Sequence, residues 1–290
     1  LIRLVLAVAL LGATASASPA SAQKGTVLTR TFWSPTLDQE MGYRVYLPPG
    51  YDAKEAQARR YPVLYLLHGL SGSSYDWFHY GRIRSVLDEQ ARRDDRRAVI
   101  AVSVDGGSSY FTRHVDRVDR PGDDHGRALA IDLVSEIDHR FRTLRRRRGR
   151  ALVGVSMGGF GALSLSMLYG DRFGGAVSLS GALFTSAPAQ KLAYHRIWGD
   201  PPQERHFARY SPYALIETLP KEHDWSRIYI ACGEDDHRRF LARSRAVKDR
   251  LEARTIPYTY SMGKGAHNWA FWMGDSEGWL DFVHGVFATH

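Results

Sequence analysis

The chain holds one cysteine, Cys232, in 290 residues. A single thiol excludes an internal disulfide and any zinc centre built from cysteine pairs. Cys232 follows the apolar run "IYIA" and reads as core filler rather than a reactive thiol. Beyond the N-terminal stretch, no apolar run reaches the roughly 20 residues that a bilayer crossing needs, so no stable membrane insertion is expected. There is no internal repeat, no dividing linker and no dinucleotide-binding glycine fingerprint. The glycine-rich "GVSMGGFG" lacks the lysine of a phosphate loop, so neither ATP nor NAD is expected, and no other cofactor. The acid–histidine stretches "RPGDDHGR" and "GEDDH" match neither a zinc helix motif nor the calcium loop. They read as solvated loop charges, and no metal is expected.

Charge is unevenly signed. Lysine and arginine number 39 against 31 acids, a formal net charge of +8. Much of it lies in "RRRRGR", Arg145 to Arg150. No zinc-finger spacing or aromatic series accompanies that run, so it reads as a solvated loop ahead of a buried strand, and no nucleic-acid partner is expected. Residues 1–22 combine an early arginine, an apolar run from Leu4 to Leu11 and small residues ending in "ASA". That is a signal-peptide pattern with cleavage after Ala22. The expectation is a secreted or cell-envelope-associated protein whose residues 23–290 form one domain. Without disulfides, its stability must come from its core.

The apolar runs set the fold class. "YRVYLPPGY" alternates and ends at two prolines. Near-continuous apolar runs follow at Val63–Leu67, Ala98–Val104, Leu152–Val155, Gly175–Gly181 and Arg227–Gly233, with another strand at Ile256–Ser261. Strands apolar on both faces fit a mostly parallel sheet covered by helices on both sides. Helical patterns alternate with them. In Arg127–Phe141, for example, Leu129, Leu133, Ile137 and Phe141 fall to one side. The predicted class is α/β. Leu183–Trp225 shows no clear strand and reads as an insertion of short helices over the carboxyl edge of the sheet, where open sheets bind ligands.

Ser156 stands between a strand and a helix in Gly154-Val155-Ser156-Met157-Gly158. A sharp turn there lifts the hydroxyl clear of the backbone, as a nucleophile requires. The Met157 amide, at the positive end of the following helix, suits one half of an oxyanion hole. "LLHGLSGSSYDWF" supplies the other half in the Leu70 amide, with Gly69 giving it room. His68 is expected to brace that loop by a hydrogen bond, and Tyr75, Asp76 and Trp77 to fix it and wall the pocket. His267 lies beyond the last strand between Gly265 and Trp269, in a setting that is neither core nor open surface. It reads as the general base. The acid that orients it should follow the strand ending at Ala231. Spacing leaves Asp235 and Asp236 both open. His68, Trp77, Tyr110, Leu183, Trp269 and Phe271 are the candidate substrate-binding residues. Tyr110, Arg113 and Asp116 line the cleft or belong to a solvated loop.

Together, "YPVLYLLHGLSGSSYDW", "GVSMGGFGAL", "ACGEDD" and "GAHNWAFW" resemble the α/β-hydrolase superfamily. Within it they resemble the esterase family that contains S-formylglutathione hydrolases, feruloyl, acetyl-xylan and tributyrin esterases, and the antigen 85 mycolyltransferases. The resemblance implies an α/β-hydrolase fold and a serine esterase acting through an acyl-serine. It implies Ser156 as nucleophile, His267 as base and the Leu70 and Met157 amides as oxyanion donors. Because the family's acid stands four residues after the cysteine of a "CG" pair, it implies Asp236. The expected substrate is a small-molecule or carbohydrate-linked ester. An exported acyltransferase of mycolyltransferase type, and a non-catalytic secreted cell-wall or binding protein on the same fold, are the alternatives. The long charged loop after Val104 departs from the family pattern, and the signal peptide argues against a cytosolic glutathione-thioester hydrolase.

Overall fold

The structure, a computed structural model, describes residues 24–116, 122–189, 192–220 and 226–288. The expected signal peptide lies outside them. The sheet is built from β1 (Thr26–Ser34), β2 (Gln39–Leu47), β3 (Val63–Leu67), β4 (Ile100–Val104), β5 (Arg150–Val155), β6 (Gly175–Leu179), β7 (Arg227–Gly233) and β8 (Tyr258–Gly263). Their order is β1-β2-β4-β3-β5-β6-β7-β8. β2 runs antiparallel to β1 and β4, and every pairing from β4 to β8 is parallel.

The unbroken apolar runs follow from this topology. All five residues of β3 are buried. Val63, Tyr65 and Leu67 face a core shared with Leu129, Leu133 and Phe160. Leu64 and Leu66 face the opposite core, with Ile83, Leu87, Trp279 and Val283. Side chains alternate across a strand, so a strand covered on both faces has no polar position. At about 25 cal/mol per Å² of apolar surface, these two layers supply the main drive to fold. Cys232 is fully buried among them, and burial followed by the nearby Asp236 carboxylate pushes its thiol up to about 12. It is core filler, as its position suggested.

Three features depart from expectation. β1 escaped the reading because it is a largely exposed edge strand whose apolar positions alternate weakly. Helix 125–140 is not regular: Ala128–Leu133 has π geometry. Four-residue steps overshoot a 3.6-residue turn, and the wider turns keep Leu129, Leu133 and Ile137 buried on one side. The arginine run is only partly solvated. Arg145 and Arg146 are exposed, but Arg150 opens β5, is 7% exposed and pairs with Asp138 at 2.5 Å. Arg147 donates to the Gly170 carbonyl.

The insertion after β6 contains the short helices Leu192–Trp198, Glu204–Ala208 and Pro212–Thr218. No helix among the described residues is long and apolar enough to cross a membrane.

Candidate active site

Four parallel strands deliver the chemistry to one edge. The loops leaving the carboxyl ends of β3, β5, β7 and β8 carry Gly69–Leu70, Ser156, Asp236 and His267 in turn. Ser156 turns the chain from β5 into helix Met157–Leu168 with φ 55° and ψ −114°. A non-glycine residue reaches that region only when its surroundings impose it. Here the Ser156 amide donates to Leu179 in β6, and its carbonyl accepts from Gly159, Phe160 and Ala182. The turn closes only with glycine on either side. A Cβ at Gly154 would lie 2.0 Å from the Gly158 carbonyl oxygen, and one at Gly158 would lie 2.2 Å from that of Leu67. Both obstacles are backbone. Gly158→Ala is therefore expected to lose at least about 1–3 kcal/mol of stability. Urea unfolding measures this, and a midpoint equal to the parent's would contradict the close approach.

Asp236 follows β7 through a tight turn. The amides of Glu234 and Asp235 donate to Gly263 and Gly265 on the histidine-bearing strand and loop. Those two side chains are left exposed, while Asp236 turns inward and is 5% exposed. Of the adjacent acids that spacing left open, Asp236 is the one that meets the histidine. His267 Nδ1 lies 3.1 Å from Asp236 Oδ2, and His267 Nε2 lies 2.9 Å from Ser156 Oγ. The imidazole packs against Phe240 at 4.2 Å and Trp272 at 5.1 Å between ring centroids. Burial opposes ionisation of Asp236, but the hydrogen bonds from His267 and the His237 amide help hold its carboxyl below the usual value. With Asp236 ionised, Nδ1 carries the proton that bridges to it. Nε2 is then free to take the serine proton. A hydroxyl, an imidazole and a carboxylate in series can move that proton and activate the oxygen.

The loop after β3 lies against the serine. A Cβ on Gly69 would be 3.7 Å from that of Ser156. Among the described residues, no hydrogen-bond acceptor takes the N–H of Leu70 or of Met157. His68 is fully buried and braces this loop. Its Nε2 must accept from the Gly106 amide at 3.1 Å, so Nδ1 is the protonated nitrogen and donates to the Gly69 carbonyl at 2.8 Å. Burial pushes the His68 pKa down, which preserves that neutral tautomer.

The "Putative esterase" family profile matches residues 34–275. The chain belongs to this family. It is an esterase of the α/β-hydrolase fold, related to feruloyl, tributyrin and S-formylglutathione hydrolases and to antigen-85-like esterases. It is 27% identical to an acetyl esterase of Caldicellulosiruptor saccharolyticus, over 76% of this chain and 82% of that one. It is 28% identical to an esterase of Mycobacterium tuberculosis over 81% of its length, but spans only 53% of that relative. An S-formylglutathione hydrolase of Agrobacterium tumefaciens superposes with a TM-score of 0.77 at 19% identity, covering 91% of this chain and 96% of that structure.

A cavity of about 650 Å³ opens beside Ser156 and His267. Tyr110 lines it, at 2% exposure rather than in a solvated loop. Its hydroxyl donates to that of Tyr194 at 3.3 Å. Arg113 and Asp116 pair with each other instead and are not among the lining residues. Neither are His68, Trp77, Leu183, Trp269 and Phe271. Trp77 and Leu183 are fully buried core, and Trp269 stacks edge-on against Trp77. Phe271 packs over the position where Gly265, at φ 141°, leaves no room for a side chain. The wall that sequence reading missed comes from helix Arg238–Ala253, through Arg239, Phe240 and Arg243.

One cluster outside this cavity could hold a cation. Ligand atoms of His114, Asp123 and His125 lie within 4.8 Å of one another. Residues 122–127 of the "RPGDDHGR" stretch are thus not simply solvated: the His114 amide donates to the Asp123 carbonyl and the His125 amide to that of Thr112, tying the two described segments together. The donor set of two imidazoles and a carboxylate suits a borderline metal such as zinc.

Proposed function

We propose that the esterase is a serine carboxylic-ester hydrolase with Ser156 as nucleophile, His267 as general base, Asp236 as orienting acid and the Leu70 and Met157 amides as oxyanion hole. The observation that carries this is His267 bridging Ser156 Oγ and Asp236 Oδ2 at 2.9 and 3.1 Å. Ser156 Oγ attacks the ester carbonyl carbon while its proton passes to His267 Nε2. The carbonyl oxygen becomes an oxyanion held by two backbone N–H groups. As the carbon–oxygen bond to the alcohol breaks, the alcohol leaves with the proton from His267. Water, deprotonated by the same imidazole, then releases the acid from the acyl-serine.

Small-molecule or carbohydrate-linked esters are the proposed substrates, in keeping with a relative named an acetyl esterase and a structural neighbour named a ferulic acid esterase. The N-terminal pattern of residues 1–22 supports secretion. The direct test is treatment with a fluorophosphonate, followed by mass spectrometry and assay on p-nitrophenyl esters from acetyl to long acyl. The expected result is one adduct, on the peptide holding Ser156, and turnover of part of the panel. No adduct and no turnover would overturn the reading. An acyl-serine can also pass its acyl group to a sugar hydroxyl, so the same assay is run with and without trehalose. Predominance of transfer product over free acid would replace hydrolysis with transfer.

A further inference from the structure

The cavity beside Ser156 carries an unbalanced charge. Arg239 and Arg243 line it, and none of its lining residues is a carboxylate. The two arginines stand one turn apart in helix Arg238–Ala253, so their side chains leave the same face. The helix places no acid within a turn of either. The helix has no acid in its first turn, and its N-terminal dipole repels cations. Further along the same helix, Lys248 pairs with Glu252 and Arg250 with Glu217. No ion pair of that kind reaches Arg239 or Arg243 among the described residues.

Arg243 is also partly desolvated. Its guanidinium lies 4.1 Å from the centroid of the Phe184 ring, beneath the insertion, and the rest of its surroundings include the Tyr110 and Tyr194 hydroxyls. Burial, and then the charge of Arg239, both push its pKa down. Arginine nevertheless stays charged in proteins, and stacking on a ring holds its planar fork in one orientation. A rigid cation without a counter-charge, in a cavity that also holds the reacting serine, is a receptor for an oxyanion.

We infer that the esterase selects esters bearing an anionic group, a carboxylate or a phosphate, which Arg243 binds with Arg239 beside it at the cavity wall. The inference deepens the proposed function and rests on it for turnover, though not for binding. The anion can sit on the acyl half or on the alcohol half of the ester, and two substrate pairs separate these sources. On the acyl side, mono-p-nitrophenyl glutarate is compared with p-nitrophenyl butyrate. On the alcohol side, 4-acetoxybenzoate is compared with its methyl ester. At low salt, the anionic member of at least one pair is expected to show about tenfold higher kcat/KM, the scale of one charge-assisted contact. Arg243→Gln should bring that ratio close to one, and Arg243→Lys, which keeps the charge, should retain part of it. Ratios at or below one for both pairs in the parent enzyme would overturn the inference, as would a ratio untouched by Arg243→Gln.

Binding gives an arm independent of chemistry. In the Ser156→Ala background, calorimetry should show monomethyl glutarate binding more tightly than dimethyl glutarate, and Arg243→Gln should erase the difference. An active enzyme indifferent to charge sinks this inference alone. An inactive protein with a charge-selective cavity sinks the hydrolase reading alone.

Discussion

Ser156→Ala is expected to lower kcat/KM for an activated ester by about 10⁴-fold or more, and to abolish fluorophosphonate labelling. His267→Ala should cost a similar factor, because without the imidazole the hydroxyl keeps its proton. The two losses should not multiply in the double variant, since the residues act as a unit. What makes the experiment clean is that the Ser156 side chain does little for the fold. It makes no capping hydrogen bond to the helix it opens, and its backbone is held at φ 55°. Ser156→Gly removes the same hydroxyl and also relieves that backbone, since glycine adopts positive φ freely. It is expected to be inactive yet more stable than the parent by about 1 kcal/mol, the low end of what a strained residue costs. Urea midpoints of the two variants, read beside their activities, check this. A Ser156→Gly protein that is both inactive and less stable would mean the turn is held in place by the side chain, and the activity loss could not be assigned to chemistry.

The residues that meet in the site were legible to different degrees, for physical reasons. Ser156 announces itself because the elbow needs glycines at fixed offsets, and those glycines are forced by backbone-to-backbone contact. His267 stands out because its loop holds Gly265, where the chain runs at φ 141° against Phe271. Asp236 could not be separated from Asp235 by spacing. What separates them is the hydrogen bonding of Glu234 and Asp235 to the neighbouring loop, a long-range contact that no local pattern encodes. The cavity wall was least legible. Trp77 and Trp269 sit near the motifs, but large aromatics near a site are drawn first to the core, and these two pack against each other. Arg239 and Arg243 stand on helix Arg238–Ala253 in a run of basic residues with no local motif to mark them. Only the position of the insertion, which sets Phe184 and Tyr194 opposite them, makes their face a wall.

Stability should fall steeply in acid, well before carboxylates are protonated in bulk. His284, on the C-terminal helix Ser276–Ala288, has its Nε2 buried without a hydrogen-bond partner among the described residues. Burial, reinforced by the nearby Arg97, pushes its pKa from 6.5 down to about 4. His68 is depressed in the same direction, and protonating it would set an Nε2–H against the Gly106 amide that now donates to it. In the unfolded chain both rings protonate near pH 6.5. Below that pH the unfolded state binds more protons than the native one, so stability drops as pH falls. For His284 the drop runs from about pH 6.5 to about 4, where the native ring protonates too. The depressed Asp236 carboxyl acts with the same sign at lower pH, because the unfolded carboxyl takes up its proton before the folded one does. At roughly 1.4 kcal/mol per pKa unit, His284 alone accounts for about 2–3 kcal/mol between pH 7 and 4.5. His284→Gln cannot titrate, so its urea-midpoint stability should decline less over that interval, by about that amount. The His68 share should remain in the variant and keep its slope above zero. Equal slopes for parent and variant would show that the His284 ring protonates in the fold as readily as in the open chain.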